Sequence, residues 1–541
     1  MAATNICFVC IVPSWLAYAD SWMPHDTLPN KEGANIMTFL LGRCGYILLL
    51  LALPVLAQST ETLRAGVAKS DISRVEEGLR INDPVYAKAL VLEQGDTKAA
   101  IIAMDVTAIG GIGEVTDAFL PELRARIEAE LGIPPLHVLV NASHNHPPHN
   151  FLCSHEEQVA RAFDAVKRAH DALEPVTAGS GSGEEKRISM NRTLRLKDGT
   201  GWTIRHSNPS PPDDVVESVG PVDPEIGVLR LDRADGSTLA VLYNFACHPY
   251  VTVPEGGVTS DYPGFASEVI EDNLPGAMAI FLQGAGGDIT PILYKDVNRA
   301  RDSAPEGRIL GLSTLKAARA IETKPADLKV VNEALPLPRK ADFEERIAAF
   351  KEEEAQLLAS LRGMSLNFKT FVPLYMKHLM DPERPLDYAY RYLQSESIGE
   401  NEFSMIDQQN RDFLAKYMKN IRTMEELTRI QDDIATLRRH QKINADSGET
   451  TVATEVMGLR IGNFVLVSSP TEMLTTVGLN VKKASPFEQT FISAYSNGYI
   501  HYGPPASEYA MGGYEAVECL LAPEWQALYE AKAAEVLKAL E

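Results

Sequence analysis

An α/β fold with a mixed β-sheet, flanking helices and a helical insertion is what this sequence predicts, and three observations predict it. Apolar runs of strand length, such as 87–93 and 98–105, lie around turn-forming residues. They alternate with stretches in which apolar residues return every three or four positions, as Val159, Phe163, Val166 and Ala169 do over 156–173. From about 340 to 447 the composition shifts to Glu, Lys, Arg, Gln and Leu at helical spacing, notably over 341–361 and 410–441, which reads as helices inserted into the α/β body.

Size and charge bound the rest. A chain of 541 residues, 45% hydrophobic and 23% charged, can bury a sizeable core. Its net charge of -22 is spread along the chain, which excludes nucleic acid and anionic membrane as the main partner. Near the start, 37–57 carries one arginine, Arg43, then an apolar run, then Val55-Leu-Ala57, the pattern of a secretory signal with a small residue before the cut. Residues 1–57 are therefore expected to be a leader, with Met37 the real start, and 58–541 the exported domain, secreted or periplasmic. The run 46–57 is too short for a bilayer core of about 30 Å, so no transmembrane anchor is expected. Cys153, Cys247 and Cys519, the cysteines beyond the leader, are too few and too scattered for a disulfide framework.

Taken in order, 87–93 and 98–105 flank Gln94-Gly-Asp-Thr97 and form a hairpin. A helix over 114–131 leads to an apolar strand that ends at His144, and a second helix covers 156–173. Residues 176–242 are β-rich, with strands at 226–231 and 239–243 around Ala234-Asp-Gly-Ser237. Another strand, 277–283, empties into Gly284-Ala-Gly-Gly-Asp288. After the insertion, strands return over 455–467, Ser469 opens a helix, a strand covers 490–494, and a helix runs from about 523 to 540.

Chemistry collects where these strands end. His144, His146 and His149 place three of twelve histidines within six residues, just beyond a strand, where α/β sheets present ligands. On an extended backbone His144 and His146 share a side, which offers two imidazoles to one metal, or one to a metal and one to a substrate. The strand 239–243 runs into Asn244-Phe-Ala-Cys-His248-Pro, and 277–283 into a loop that ends Gly287-Asp-Ile-Thr290-Pro. Each feature has a structural reading when taken singly: His248 a core histidine, Ser469-x-x-Glu472 a capping box, Asp261 and Asp288 turn residues, the tyrosines packing groups. Their joint occurrence is what points to a site.

With these loops in order, the chain resembles the neutral (alkaline, non-lysosomal) ceramidase family, zinc-dependent hydrolases of the N-acyl bond of ceramide. The motifs that carry the resemblance are His144-Asn-His146, Asn244 to Pro249, Gly287-Asp-Ile-Thr290-Pro, Pro470-Thr-Glu472, Asn497-Gly-Tyr-Ile-His-Tyr502 and Tyr514-Glu515. They lie in the family's order and span roughly 60–335 and 450–520. The resemblance implies one zinc held by His144, His248, Glu472 and Tyr502. It implies that His146 is free to donate to the oxyanion or the leaving group, that Arg192 steadies developing negative charge, and that Tyr514 bonds the same oxygen. Thr290 stands where the family has serine, and Asp261 and Asp288 are expected as carboxylates that orient the histidines. Pro147-Pro-His-Asn150 replaces the family's glycine-rich segment at the rim. The chain closes one helix after Tyr514, so the catalytic domain is expected without the family's C-terminal β-sandwich.

The expected substrate is a small-molecule or lipid N-acyl compound cleaved by a zinc-activated water. Alternatives from the same residues are a zinc enzyme acting on a carbohydrate or another non-ceramide substrate, and a binding protein on a decayed hydrolase scaffold. A metallo-β-lactamase-like signature, His144-x-His146-x-x-His149, is imitated, but Pro148 stands where that signature needs an aspartate. Amino-terminal sequencing of the exported protein should return a chain that begins near Gln58; a mature chain retaining residues before Met37 would contradict the leader.

Overall fold

Strands buried on both faces read as unbroken apolar runs. The computed structural model, which describes residues 61–146, 152–205, 210–292 and 300–541, shows this for the first hairpin. Along Thr97–Met104, Ala100, Ile102 and Met104 face one core, and Ala99, Ile101 and Ala103 face another. Residues 37–57, expected to be a signal segment, and His149 lie outside the described residues.

Eight strands form the main sheet: β1 (Arg64–Asp71), β2 (Tyr86–Gln94), β3 (Thr97–Met104), β4 (Val138–Ala142), β5 (Glu174–Glu184), β6 (Glu225–Arg233), β7 (Thr238–Phe245) and β8 (Met278–Gln283). Their order is β8-β7-β6-β5-β1-β2-β3-β4. Pairing is antiparallel inside the sheet and parallel at each edge, β3 with β4 and β7 with β8. Helices α1 (Phe119–Leu131), α2 (His155–Asp171), α3 (Asp261–Asn273) and α4 (Ala304–Ala320) cover one face. A capping box between Ser154 and Glu157 starts α2 where the sequence places it.

The other face packs on a second sheet of β9 (Leu328–Pro338), β10 (Thr451–Ile461), β11 (Phe464–Ser468) and β12 (Thr490–Ser493). Leu90, Ile101, Leu229 and Leu242 from the first sheet meet Met457, Leu459, Leu466 and Phe491 from the second. The inserted segment is not a single hairpin. Helices α5 (Phe343–Ser360), α6 (Phe368–Met380) and α7 (Ala389–Ser397) pack along the 46-residue α8 (Glu402–Ser447). Helices α9 (Thr475–Ala484) and α10 (Trp525–Ala539) cover the outer face of the second sheet, giving helix, sheet, sheet and helix in four layers.

Three buried amides stitch the carboxyl ends of the strands together. Asn141, in β4, donates to Ser493 Oγ, Ala494 O and Ser496 Oγ, and accepts from the Gln283 N–H at the end of β8. Asn244, in β7, donates to Leu282 O and Ile492 O, while the Gln283 amide donates to Ser143 O and Cys247 O. The two edge strands and both sheets are thereby joined at one place, and the loops that follow must share it.

Two expectations need correction. The first helix begins at Phe119 rather than 114: Gly110, Gly111 and Gly113 take positive φ, and Asp117 accepts from the Gly111 N–H, which folds 111–117 into a loop. No helix opens at Ser469. Its hydroxyl accepts from the Thr471 N–H, the Glu472 N–H donates to His501 O, and Glu472–Met473 forms a short strand parallel to Tyr502–Gly503. The helix waits until Thr475.

Replacing Asn141 by leucine strands the Gln283 N–H and several partners in a buried site. We expect a loss of about 3 kcal/mol in urea unfolding, the scale of uncompensated buried polar groups. A loss below about 1 kcal/mol would show that the strand ends are joined by something else.

Candidate metal centre

The site is built from atoms that can only accept. His144 Nδ1 lies 2.7 Å from Thr107 O, and His248 Nδ1 lies 2.8 and 2.9 Å from Gly286 O and Ile289 O. A carbonyl cannot donate, so each Nδ1 carries the hydrogen and each Nε2 presents a bare lone pair. Both lone pairs face Glu472 Oε2, at 3.3 Å from His144 and 3.4 Å from His248. All three side chains are buried, and His248 Nε2 and Glu472 Oε2 have no hydrogen-bond partner. Three acceptors converge with nothing positive between them.

That arrangement fits a metal. Donors held about 2.0–2.1 Å from a tetrahedral zinc lie roughly 3.3–3.4 Å from one another, which is the spacing found. Burial, then the Arg192 charge, pulls the His248 imidazole down to about 3, so it is neutral and ligand-ready.

A second donor set overlaps the first. His146 Nε2 lies 2.9 Å from His144 Nε2, and the ligand atoms of His144, His146 and His248 are close enough together to bind one metal ion. His144 does not sit on extended backbone as expected; its φ is 64°, and the two rings meet edge to face across a turn. Burial, followed by the neighbouring His144 and His248, drives His146 well below the ordinary histidine value, so it too is neutral. Its ring faces a cavity of about 630 Å³ that also exposes His248, Glu472, Tyr502 and Tyr514.

Tyr502 is the register partner of Glu472 across the short parallel pair. Its hydroxyl accepts from Arg192 at 2.9 Å, and burial and the Glu472 charge push its phenol well above the ordinary value. Arg192 is buried, tied to Glu515 Oε1 at 2.9 Å and Gly287 O at 2.8 Å, so it steadies Tyr502 as well as lining the cavity. Tyr514 packs edge-on to Tyr502 and points its hydroxyl at Glu518, 3.4 Å away. Thr290 accepts a hydrogen bond from Tyr250, and it is Tyr250 that lines the cavity.

Neither expected carboxylate touches a histidine. Asp288 accepts from the Thr475 N–H and hydroxyl and from Asn191, while Asp261 accepts from the Thr252 and Tyr262 N–H groups. Both brace loops, and backbone carbonyls orient the imidazoles instead.

Sequence reading missed three features. Tyr499 donates its hydroxyl to Glu472 Oε1, although only Tyr502 and Tyr514 stood out. Tyr250 follows His248-Pro and carried no motif. The helical insertion brings Arg439 to the cavity wall and His440 against Glu518 behind it. There His440 Nε2 lies 2.7 Å from Glu518 Oε2, with His501 Nδ1 3.7 Å from the same oxygen and Arg439 2.6 Å from Oε1. A histidine flanked by ordinary helix residues gave no sign of this.

No family model matches the chain. Neutral ceramidase of Pseudomonas aeruginosa is 23% identical over an alignment covering 92% of this chain and 74% of that protein. A crystal structure of neutral ceramidase from Pseudomonas aeruginosa matches with a TM-score of 0.56 at 18% identity, over 89% of this chain and 74% of that one. A structure described as ceramidase complexed with C2 matches equally, at 0.56 and 18%, over 89% and 75%. At such identity the structural likeness speaks for the fold, and the sequence relationship runs along nearly the whole chain. Taken together, they make this chain a distant homologue of neutral ceramidase that shares its fold.

Proposed function

We propose that the protein is an exported zinc-dependent hydrolase that cleaves an N-acyl amide bond. The observation that carries this reading is the convergence of His144 Nε2, His248 Nε2 and Glu472 Oε2, three buried acceptors at zinc-ligand spacing. Tyr502, beside Glu472, is the fourth group we assign to the metal. Zinc, when bound there, supplies Lewis acidity and lowers the pKa of a coordinated water toward ~7.

The chain's own residues supply the remaining steps. His146 is neutral and faces the cavity, so its imidazole can take a proton from the nucleophile and return it to the leaving amine. An amine is a poor leaving group unless protonated, so this transfer is essential for an amide. Tyr514 and Tyr250 line the same cavity; their hydroxyls are held by Glu518 and Thr290, and either would donate to the carbonyl oxygen only by turning from that partner. Arg192 holds the Tyr502 hydroxyl and adds a positive field from behind. The ceramidase relatives make N-acyl sphingoids the first compounds to assay, with N-acyl amino acids and N-acylated sugars beside them.

Two variant sets test the assignment. His248→Ala and Glu472→Ala should each lose zinc by elemental analysis after dialysis and lose hydrolysis with it. His146→Ala should keep about one equivalent of zinc and lose a factor on the order of 10²–10⁴ in kcat, the range of a missing acid–base group. Zinc retained in both His248→Ala and Glu472→Ala would refute the site; zinc lost in His146→Ala would replace Glu472 by a third histidine. Separately, Thr290→Ser should be tolerated, and Thr290→Ala should cost roughly 10-fold or more by releasing Tyr250. An acyl group trapped on Thr290 would establish covalent catalysis instead.

A further inference from the structure

The walls of the cavity say more about the substrate than the metal centre does. Four guanidinium groups line it, those of Arg192, Arg205, Arg301 and Arg439. Against them stand the carboxylates of Glu472 and Glu518, with Glu515 immediately behind Arg192. Among the described residues positive charge therefore prevails in this lining before any metal is counted, in a chain whose net charge is -22. A divalent ion deepens the contrast. Among the described residues the aliphatic lining is Ile112 and Ile204, and Tyr250, Tyr499, Tyr502 and Tyr514 add aromatic surface.

Arg205 is placed to use its charge. Its guanidinium carbon lies over the Tyr514 ring, 3.4 Å from the centroid. Among the described residues no carboxylate pairs with it. Stacking occupies the face of a guanidinium and leaves the in-plane N–H groups available, which is the arrangement that binds carboxylates and phosphates bidentately. Tyr514 also packs on Tyr502, so an anion on Arg205 would sit close to the metal ligands. Arg439 meets Glu518 through one nitrogen at 2.6 Å, and its side chain is half exposed.

We propose that the substrate of this site carries an oxyanion, a carboxylate or a phosphate, near the amide to be cleaved, and that Arg205 and Arg439 bind it. This rests on the hydrolase reading for the chemistry but not for the recognition. The basic cavity attracts an anion locally, against the repulsion of an acidic surface, so the preference for a charged ligand should weaken as salt rises.

Matched pairs test it with the full-length, zinc-loaded protein. N-octanoylglycine is compared with N-octanoylglycinamide, and N-acetylglucosamine 6-phosphate with N-acetylglucosamine, by calorimetric Kd and by kcat/KM. The charged member of at least one pair should be favoured by about tenfold or more, the scale of one charge-assisted hydrogen bond, and the preference should shrink with added salt. The responding pair tells carboxylate from phosphate. Arg205→Gln, with zinc content unchanged, should erase most of the preference by weakening the charged member far more than the neutral one. Equal binding within each pair, preference for the neutral members, or no binding of either charged member would overturn the proposal. Preferential binding without turnover of any compound would leave it standing and defeat the hydrolase reading, whereas turnover of neutral compounds alone would do the reverse.

Discussion

Two imidazole N–H groups, bonded to three backbone carbonyls, decide what this site can be. By taking up the Nδ1 hydrogens of His144 and His248, the carbonyls of Thr107, Gly286 and Ile289 turn both rings into pure acceptors and aim them at a carboxylate. Acceptors do not gather unless something positive joins them, and buried ones are costly to leave unpaired. The rest of the molecule holds that arrangement in place. The strand ends meet because Asn141, Asn244 and Gln283 tie both sheets together, and the ligand-bearing loops start from those ends.

Strain is concentrated in the same loops. Among the described residues, the non-glycine positions with positive φ are His144, Thr252, Asp261, Tyr495, Asn497 and His501. Such backbone is unfavourable for residues with a Cβ and persists where surrounding contacts over-determine it. Tyr495 stacks on His144 at 4.3 Å, Asn497 binds the Val140 N–H through its side chain, and Asp261 braces Thr252. Each strained residue thus belongs to the frame around the imidazoles, which makes the frame stiff and the ligand geometry specific.

The sheet strands were legible in the sequence because two-sided burial writes itself as continuous apolar runs, and the helices because one-sided burial writes itself as a period of three to four. The residues of the metal centre were legible through their order in strand-end loops. What stayed hidden depends on backbone conformation or on distant contact. The turn at His144 breaks the alternation that two histidines two apart suggest, yet the rings still meet. Glu472 reads as part of a capping box and is instead a strand residue, since its N–H is taken by His501 O. His440 lies 61 positions before His501 in sequence, and only the packing of α8 against the body reveals that both meet Glu518.

The central claim is that two histidines, a glutamate and a tyrosine hold one zinc, with His146 outside the ligand set. X-ray absorption at the zinc edge of the loaded protein counts imidazoles directly, through the multiple-scattering signature of the rings. The account predicts a shell of nitrogen and oxygen ligands at about 2.0–2.1 Å containing two imidazoles. Three imidazoles, or zinc bound without imidazole, would contradict it.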